Sequence, residues 1–279
     1  MTSLTTQMAQ ALRHFLLAVQ FFTRIPVTGR LAQWVGYSPA LLRASVAHFP
    51  AVGYLVGAWA ALVWWGVMTW MPASHYTPLL AAVLSTVATM GLTGGFHEDG
   101  LADVADGLGG YVSRDRALEI MKDSRIGAYG AMALVMSLLT KVTLVALLGD
   151  VHPTHTALTL WLAHVVSRTC PLLTIRSLPH VGDAAGSKSK PLADQISTAS
   201  LIVGLLWGAL ALLIFGLLHQ ATLAHTLTAL LLGLLGTLLG WYWTWRLLQQ
   251  RLGGFTGDGL GTTQQLAELG CLCAMLWAY

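Results

Sequence analysis

The chain has 279 residues, of which 55% are apolar and 10% charged, against about 25% charged in an ordinary soluble domain. That leaves too little polar surface for a soluble globule. The net charge of +3 is what orientation-setting Lys and Arg residues give a membrane protein, so no nucleic-acid partner is expected.

The first segment places Met8, Leu12, Phe15, Leu16, Val19 and Phe22 at helical spacing, opposite Gln10, Arg13 and His14. This predicts an amphipathic helix lying on the membrane. It has no charged start followed by a continuous apolar run and a small-residue cleavage site, so no signal peptide is expected.

Long apolar runs follow at about 51 to 71, 79 to 95, 128 to 149, 156 to 175, 201 to 219, 225 to 245 and 264 to 279. Each is near the roughly 20 residues a bilayer requires. They do not alternate as barrel strands do, and only helices or closed barrels satisfy their backbone in lipid. The expectation is an all-α polytopic bundle of about seven spans in a single domain. The second and last runs are short, and either can lie partly within protein rather than against lipid.

Orientation follows from Lys and Arg. Arg13, Arg24, Arg30 and Arg43 precede the first span; Arg114, Arg116, Lys122 and Arg125 follow the second. Arg176, Lys188 and Lys190 follow the fourth, and Arg246 and Arg251 the sixth. The connectors around His75, Asp150 to His155 and Gln220 contain none. Thirteen of fifteen basic residues therefore share one side, which predicts a cytoplasmic N-terminus in a bacterial inner membrane. The exceptions, Lys141 and Arg168, lie inside spans, where a charge faces the bundle interior or a wet cavity. Arg168 precedes Pro171, where the helix is expected to break, and is the better functional candidate.

Gly53 with Gly57, and Gly236 with Gly240, have the spacing of closely packed helices. Cys170, Cys271 and Cys273 lie in apolar runs without a CxxC pair and read as packing residues. His152, His155, His219 and His225 sit near span ends and read as interfacial. Among the tryptophans and tyrosines, Trp241, Tyr242, Trp243 and Trp245 read as an interfacial belt.

The chemistry concentrates between Gly94 and Gly110. Glu98, Asp99, Asp103 and Asp106 place four of the twelve carboxylates within nine residues, among glycines, at the end of an apolar span. If the segment is helical, Asp99, Asp103 and Asp106 share one face. Like charges so placed repel unless a cation lies between them. Hard oxygen ligands that leave room for phosphate oxygens suit Mg²⁺, which points to phosphoryl transfer at a membrane surface. His97 adjoins the cluster as a candidate catalytic group. The segment Glu119 to Gly130 offers Lys122 and Arg125 for phosphate and Asp123 as a further acid. Gly253 to Gly261 adds Asp258 on the same side.

These segments, with Phe22-Thr23-Arg24-Ile25-Pro26-Val27 and His48-Phe49-Pro50-Ala51-Val52-Gly53, resemble the cobalamin synthase family, also called adenosylcobinamide-GDP ribazoletransferase, nearly end to end. The resemblance implies attack on adenosylcobinamide-GDP by α-ribazole or its 5′-phosphate, release of GMP, and magnesium as cofactor. On that basis Glu98, Asp99, Asp103 and Asp106 are expected to bind Mg²⁺ at the diphosphate, with Asp258 or Asp123 as supplementary ligand or base. Asp99, Asp103, Asp106 and His97 are then the catalytic candidates, and Lys122, Asp123, Arg125 and Arg168 the substrate-binding ones. Ser187-Lys188-Ser189-Lys190-Pro191 has no matched role beyond topology. Membrane lipid is an expected partner, and oligomeric state is left open. A CDP-alcohol phosphotransferase is a rival, but Asp99-Gly100-Leu101-Ala102 is followed by Asp103-Val104 where its DGxxAR pattern needs Ala and Arg. A secondary transporter is a second rival; it would show paired interrupted spans in two halves, and none is evident.

Overall fold

The computed structural model describes residues 4–182 and 195–279. Lys188 and Lys190, with the Ser187 to Pro191 segment, lie outside the described residues. The described chain is all-α, as expected, and its one sheet-like pairing is an isolated parallel bridge between His180 and Phe255.

Helix α1 (Leu4–Phe22) leads through α2 (Gly29–Val35) and α3 (Pro39–Ser45) into a 3₁₀ turn and α4 (Phe49–Trp70). Then come α5 (Thr77–Thr93), α6 (Phe96–Gly109), α7 (Arg114–Ile120), α8 (Ala128–Val151) and α9 (Pro153–Ser177). Helices α10 (Thr198–Leu218), α11 (Leu223–Leu252) and α12 (Gly257–Met275) complete the bundle. The starts are written in the sequence: the side chains of Ser38, Ser113, Ser197, Thr222 and Thr256 each accept a backbone N–H in the first turn of the helix they open, and Pro39 stands at the head of α3 with its missing N–H doing no harm.

Five stretches of the described residues are long and apolar enough to cross a membrane: Pro39–Trp70, α8, α9, α10 and α11. Helices α5 and α6 qualify only as a pair, and they meet at 90°. The count is thus five or six, against about seven expected. The run from 79 to 95 counts only if α5 and α6 are taken as one span, and the run from 264 to 279, most of which belongs to α12, does not count. Thr262, Thr263, Gln264, Gln265 and Glu268 face inward on that helix and are buried. Their polarity removes α12 from the apolar class, and surrounding protein replaces lipid as its solvent.

The expected break of α9 at Pro171 does not occur, since the helix runs unbroken from Pro153 to Ser177. This helix is among the most enclosed, and the glycine spacings explain how neighbours reach it. A Cβ on Gly53 would stand 2.6 Å from the His164 carbonyl oxygen, and one on Gly57 2.7 Å from that of Trp161. Gly236 and Gly240 likewise abut the α12 backbone at Gly270 and Leu266. The glycine pairs are packing devices.

Helix α1 forms as predicted and divides its apolar face. Leu17, Ala18, Val19 and Phe22 are buried against the protein, whereas Met8 and Leu12 remain exposed and suit the membrane surface.

Candidate active site

The right angle between α5 and α6 is made by Gly94 and Gly95, with φ of +73° and +71°. Two successive left-handed residues are accessible without strain only to glycine. They turn the chain so that α6 leaves the end of α5 at 90°.

Several ties fix α6. The Thr262 hydroxyl donates to the Gly100 carbonyl at 3.0 Å. Gly100 packs on the backbone of Asp258, where a Cβ would come within 2.8 Å of the carbonyl oxygen. At the far end, the Arg251 guanidinium donates to the Leu108 and Gly110 carbonyls at 2.9 and 2.8 Å. A cation there satisfies orphan carbonyls and complements the helix dipole.

The outcome is a crowded acidic face shared by two helices. Asp99 is exposed, and Asp103 on α6 and Asp258 in the first turn of α12 are half-buried. Burial, then the fields of Asp258, Asp99 and Asp106, pushes the Asp103 carboxyl up to about 7. Burial and Asp99 push Asp258 up to about 6. A cation between these carboxylates would relieve the repulsion that raises them. Among the described residues, no three His, Cys, Asp or Glu side chains form a complete metal-ligand group. That donor set still fits Mg²⁺, which keeps several waters and takes one or two carboxylates plus substrate phosphate oxygens.

Asp106 shares the α6 face but is engaged elsewhere. Its Oδ2 accepts from the Gly127 N–H at 2.7 Å and its Oδ1 from the Gly130 N–H at 2.8 Å. It caps the start of α8 from a distance in sequence and draws the 121–127 loop against α6. Within that loop Asp123 and Arg125 pair with each other, both exposed, at 2.5 Å. The Arg125 hydrogen bonds hold the Asp123 carboxyl down to about 2. Lys122 is exposed beside them. The loop brings cations to the rim, while Asp123 bonds to Arg125 rather than joining the acidic face.

Three predicted residues point into the bundle. His97 is buried, stacks on Phe49 at 5.6 Å, and leaves its Nε2 without a partner. Glu98 is buried, and its Oε1 accepts from Gln265 at 3.1 Å. Arg168 is buried in α9, where its Nη1 reaches the His164 carbonyl at 2.9 Å and its guanidinium lies 5.7 Å from the Phe49 ring centre. Between them is a residue the sequence reading passed over: Glu268, which pairs with Lys141 at 2.6 Å and His164 at 3.2 Å. The polar spacing Gln264, Gln265, Glu268 within an apolar run was the available signal.

The family model described as cobalamin-5-phosphate synthase matches residues 14–276. A curated adenosylcobinamide-GDP ribazoletransferase of Albidiferax ferrireducens is 57% identical over 274 residues, covering 94% of this chain and 96% of the relative. One of Polaromonas sp. is 56% identical, covering 94% and 95%. One of Shewanella piezotolerans is 41% identical, covering 96% of each. No solved structure matches the chain. With the match running from α1 to the end of α12, the chain belongs to the cobalamin-5-phosphate synthase family.

Proposed function

We propose that the chain transfers the adenosylcobinamide phosphate group from adenosylcobinamide-GDP to α-ribazole, or to its 5′-phosphate, releasing GMP. The product is adenosylcobalamin or its 5′-phosphate. The observation that carries this reading is the crowded face of Asp99, Asp103 and Asp258, which suits a cation-bridged diphosphate at a membrane surface. Asp99, Asp103 and Asp258 would hold Mg²⁺, which when bound neutralises charge developing on the diphosphate.

A hydroxyl oxygen of α-ribazole attacks the phosphorus that carries cobinamide. The bond to the bridging oxygen of GDP breaks, and GMP leaves with the electron pair. A carboxylate of this acidic face takes the hydroxyl proton. Lys122 and Arg125 at the rim attract the anionic substrate, and Asp106 keeps their loop in place by holding Gly127. Glu98, His97 and Arg168 support this surface from within the bundle.

The site faces the cytoplasm of a bacterial inner membrane. This placement rests on the basic residues, which cluster at the helix ends nearest the acidic face, and on an N-terminal helix that keeps Met8 and Leu12 exposed for lipid.

The test is direct. Protein purified in detergent is given adenosylcobinamide-GDP and α-ribazole, with Mg²⁺ or with EDTA, and GMP and corrinoid product are followed together. Magnesium-dependent formation of both is expected. Absence of product from folded, metal-supplied protein would remove the reading.

A further inference from the structure

The bundle interior holds a chain of polar side chains that the transfer chemistry does not touch. Glu268, Lys141, His164, Arg168, Gln264, Gln265 and Glu98 are each no more than 6% exposed. Its hydrogen bonds have a fixed polarity. The Gln264 amide nitrogen donates to Glu268 Oε2 at 2.6 Å and to Ser167 Oγ at 3.1 Å. The Gln265 amide nitrogen donates to Gln264 Oε1 and to Glu98 Oε1, each at 3.1 Å. All four amide hydrogens are spent, and a carboxylate accepts at either end. Turning either amide over would set oxygen against oxygen.

We infer that Glu268 is a positioning residue for the transfer reaction, acting through Gln264, Gln265 and Glu98 to hold the acidic face of α6 at its working distance from Asp258. The inference rests on the reaction proposed above. Three observations carry it. The ion pair of Lys141 with Glu268 is buried at 2.6 Å in the bundle, where apolar residues of similar volume would generally stabilise as well or better. The chain ends on Glu98, the residue before Asp99. The helix that carries both hangs from two left-handed glycines, a joint that supplies little stiffness of its own. Its far end is held independently, by Asp106 and Arg251. The Glu98 tie, with Thr262 on Gly100 and Gly100 on the Asp258 backbone, fixes the near end around Asp99, and Asp103 lies between the two supports.

The charge and the acceptor of Glu268 are separable. Glu268→Gln alone strands Lys141 beside Arg168 and is expected to reduce folded yield. Adding Lys141→Met removes the stranded lysine, while Arg168, 4.0 Å from Glu268 Oε2, loses that carboxylate equally in both double variants below. The informative pair is therefore Lys141→Met/Glu268→Gln, which keeps an acceptor for Gln264, and Lys141→Met/Glu268→Leu, which removes it. Assayed well below its own unfolding temperature, the Gln double variant is expected to keep kcat within about 3-fold of the parent. The Leu double variant is expected to lose kcat by about 10- to 100-fold with the KM of both substrates unchanged, as a displacement near 1 Å does at a reacting centre. Equal kcat in the two, or a change in KM alone, would overturn the inference.

A readout without turnover separates this from the function itself. In protein freed of native cysteines and carrying Asp103→Cys and Asp258→Cys, cross-linking by a short bis-maleimide should be slower in the Leu background than in the Gln background. Equal rates would overturn the inference whether or not the parent forms product. A parent that forms no product while cross-linking differs would remove the proposed reaction and leave the mechanical link standing.

Discussion

Asp103 and Asp106 are one turn apart on α6 and look alike in sequence, yet their surroundings differ. Asp103 meets other carboxylates; Asp106 meets two backbone N–H groups at the start of α8. Asp103→Asn should lower turnover by about 100-fold or more while leaving folded yield unchanged, and parental turnover would remove Asp103 from the site. Asp106→Ala should lower stability by about 1–2 kcal/mol through lost capping, seen as a lower unfolding midpoint in detergent. The crowding also has a pH signature. Asp103 and Asp258 titrate higher in the fold than in the unfolded chain, so these two carboxyls bind more protons in the fold between about pH 4 and 7. Their contribution, read as the unfolding midpoint of the parent minus that of Asp103→Asn/Asp258→Asn in EDTA, should therefore fall as pH rises through that window and level off above it, with Mg²⁺ flattening the slope. A difference that rises with pH across the window in EDTA would contradict the crowding. Sequence spacing revealed the shared face of Asp99, Asp103 and Asp106. It did not reveal that Gly127 and Gly130 claim Asp106, because those partners are remote in sequence. Glu98 was grouped with its neighbours by adjacency alone, although one helical step turns it toward the interior.

Among the elements, α6 and α12 meet where glycine faces backbone. Gly100→Ala places a methyl carbon against the Asp258 carbonyl, and backbone cannot move aside as a flexible side chain does. The variant should separate the two helices, reduce turnover by about 10-fold or more, and lower the unfolding midpoint. Parental values of both would show the contact to be slack. Apolar length revealed α4, α8, α9, α10 and α11 in the sequence. It left α12 open, as a run short enough to lie within protein, because Leu266, Leu269, Leu272 and Met275 sustain an apolar average while Gln264, Gln265 and Glu268 occupy one inward face. It misjudged α9 at Pro171, where tight packing keeps the helix unbroken through a residue that weakens it in isolation.

For the whole molecule, the proposed orientation puts the basic connectors and the acidic face on one side of the membrane. Single cysteines in place of the exposed Arg116 and Gln220 should label from opposite sides of sealed vesicles, Arg116→Cys in inside-out and Gln220→Cys in right-side-out preparations. Labelling of both from one side would refute the orientation.

Helix α12 has a consequence for how the protein is made. Every helix it packs against, α6, α8, α9 and α11, precedes it in the chain. A segment carrying Glu268 and two glutamines is a poor candidate for entering lipid alone. Synthesis from the N-terminus presents it after Lys141 and Arg168 are already in place. Its insertion is thereby made conditional on correct assembly of the others, so the step that completes the acidic face also checks the bundle that bears it.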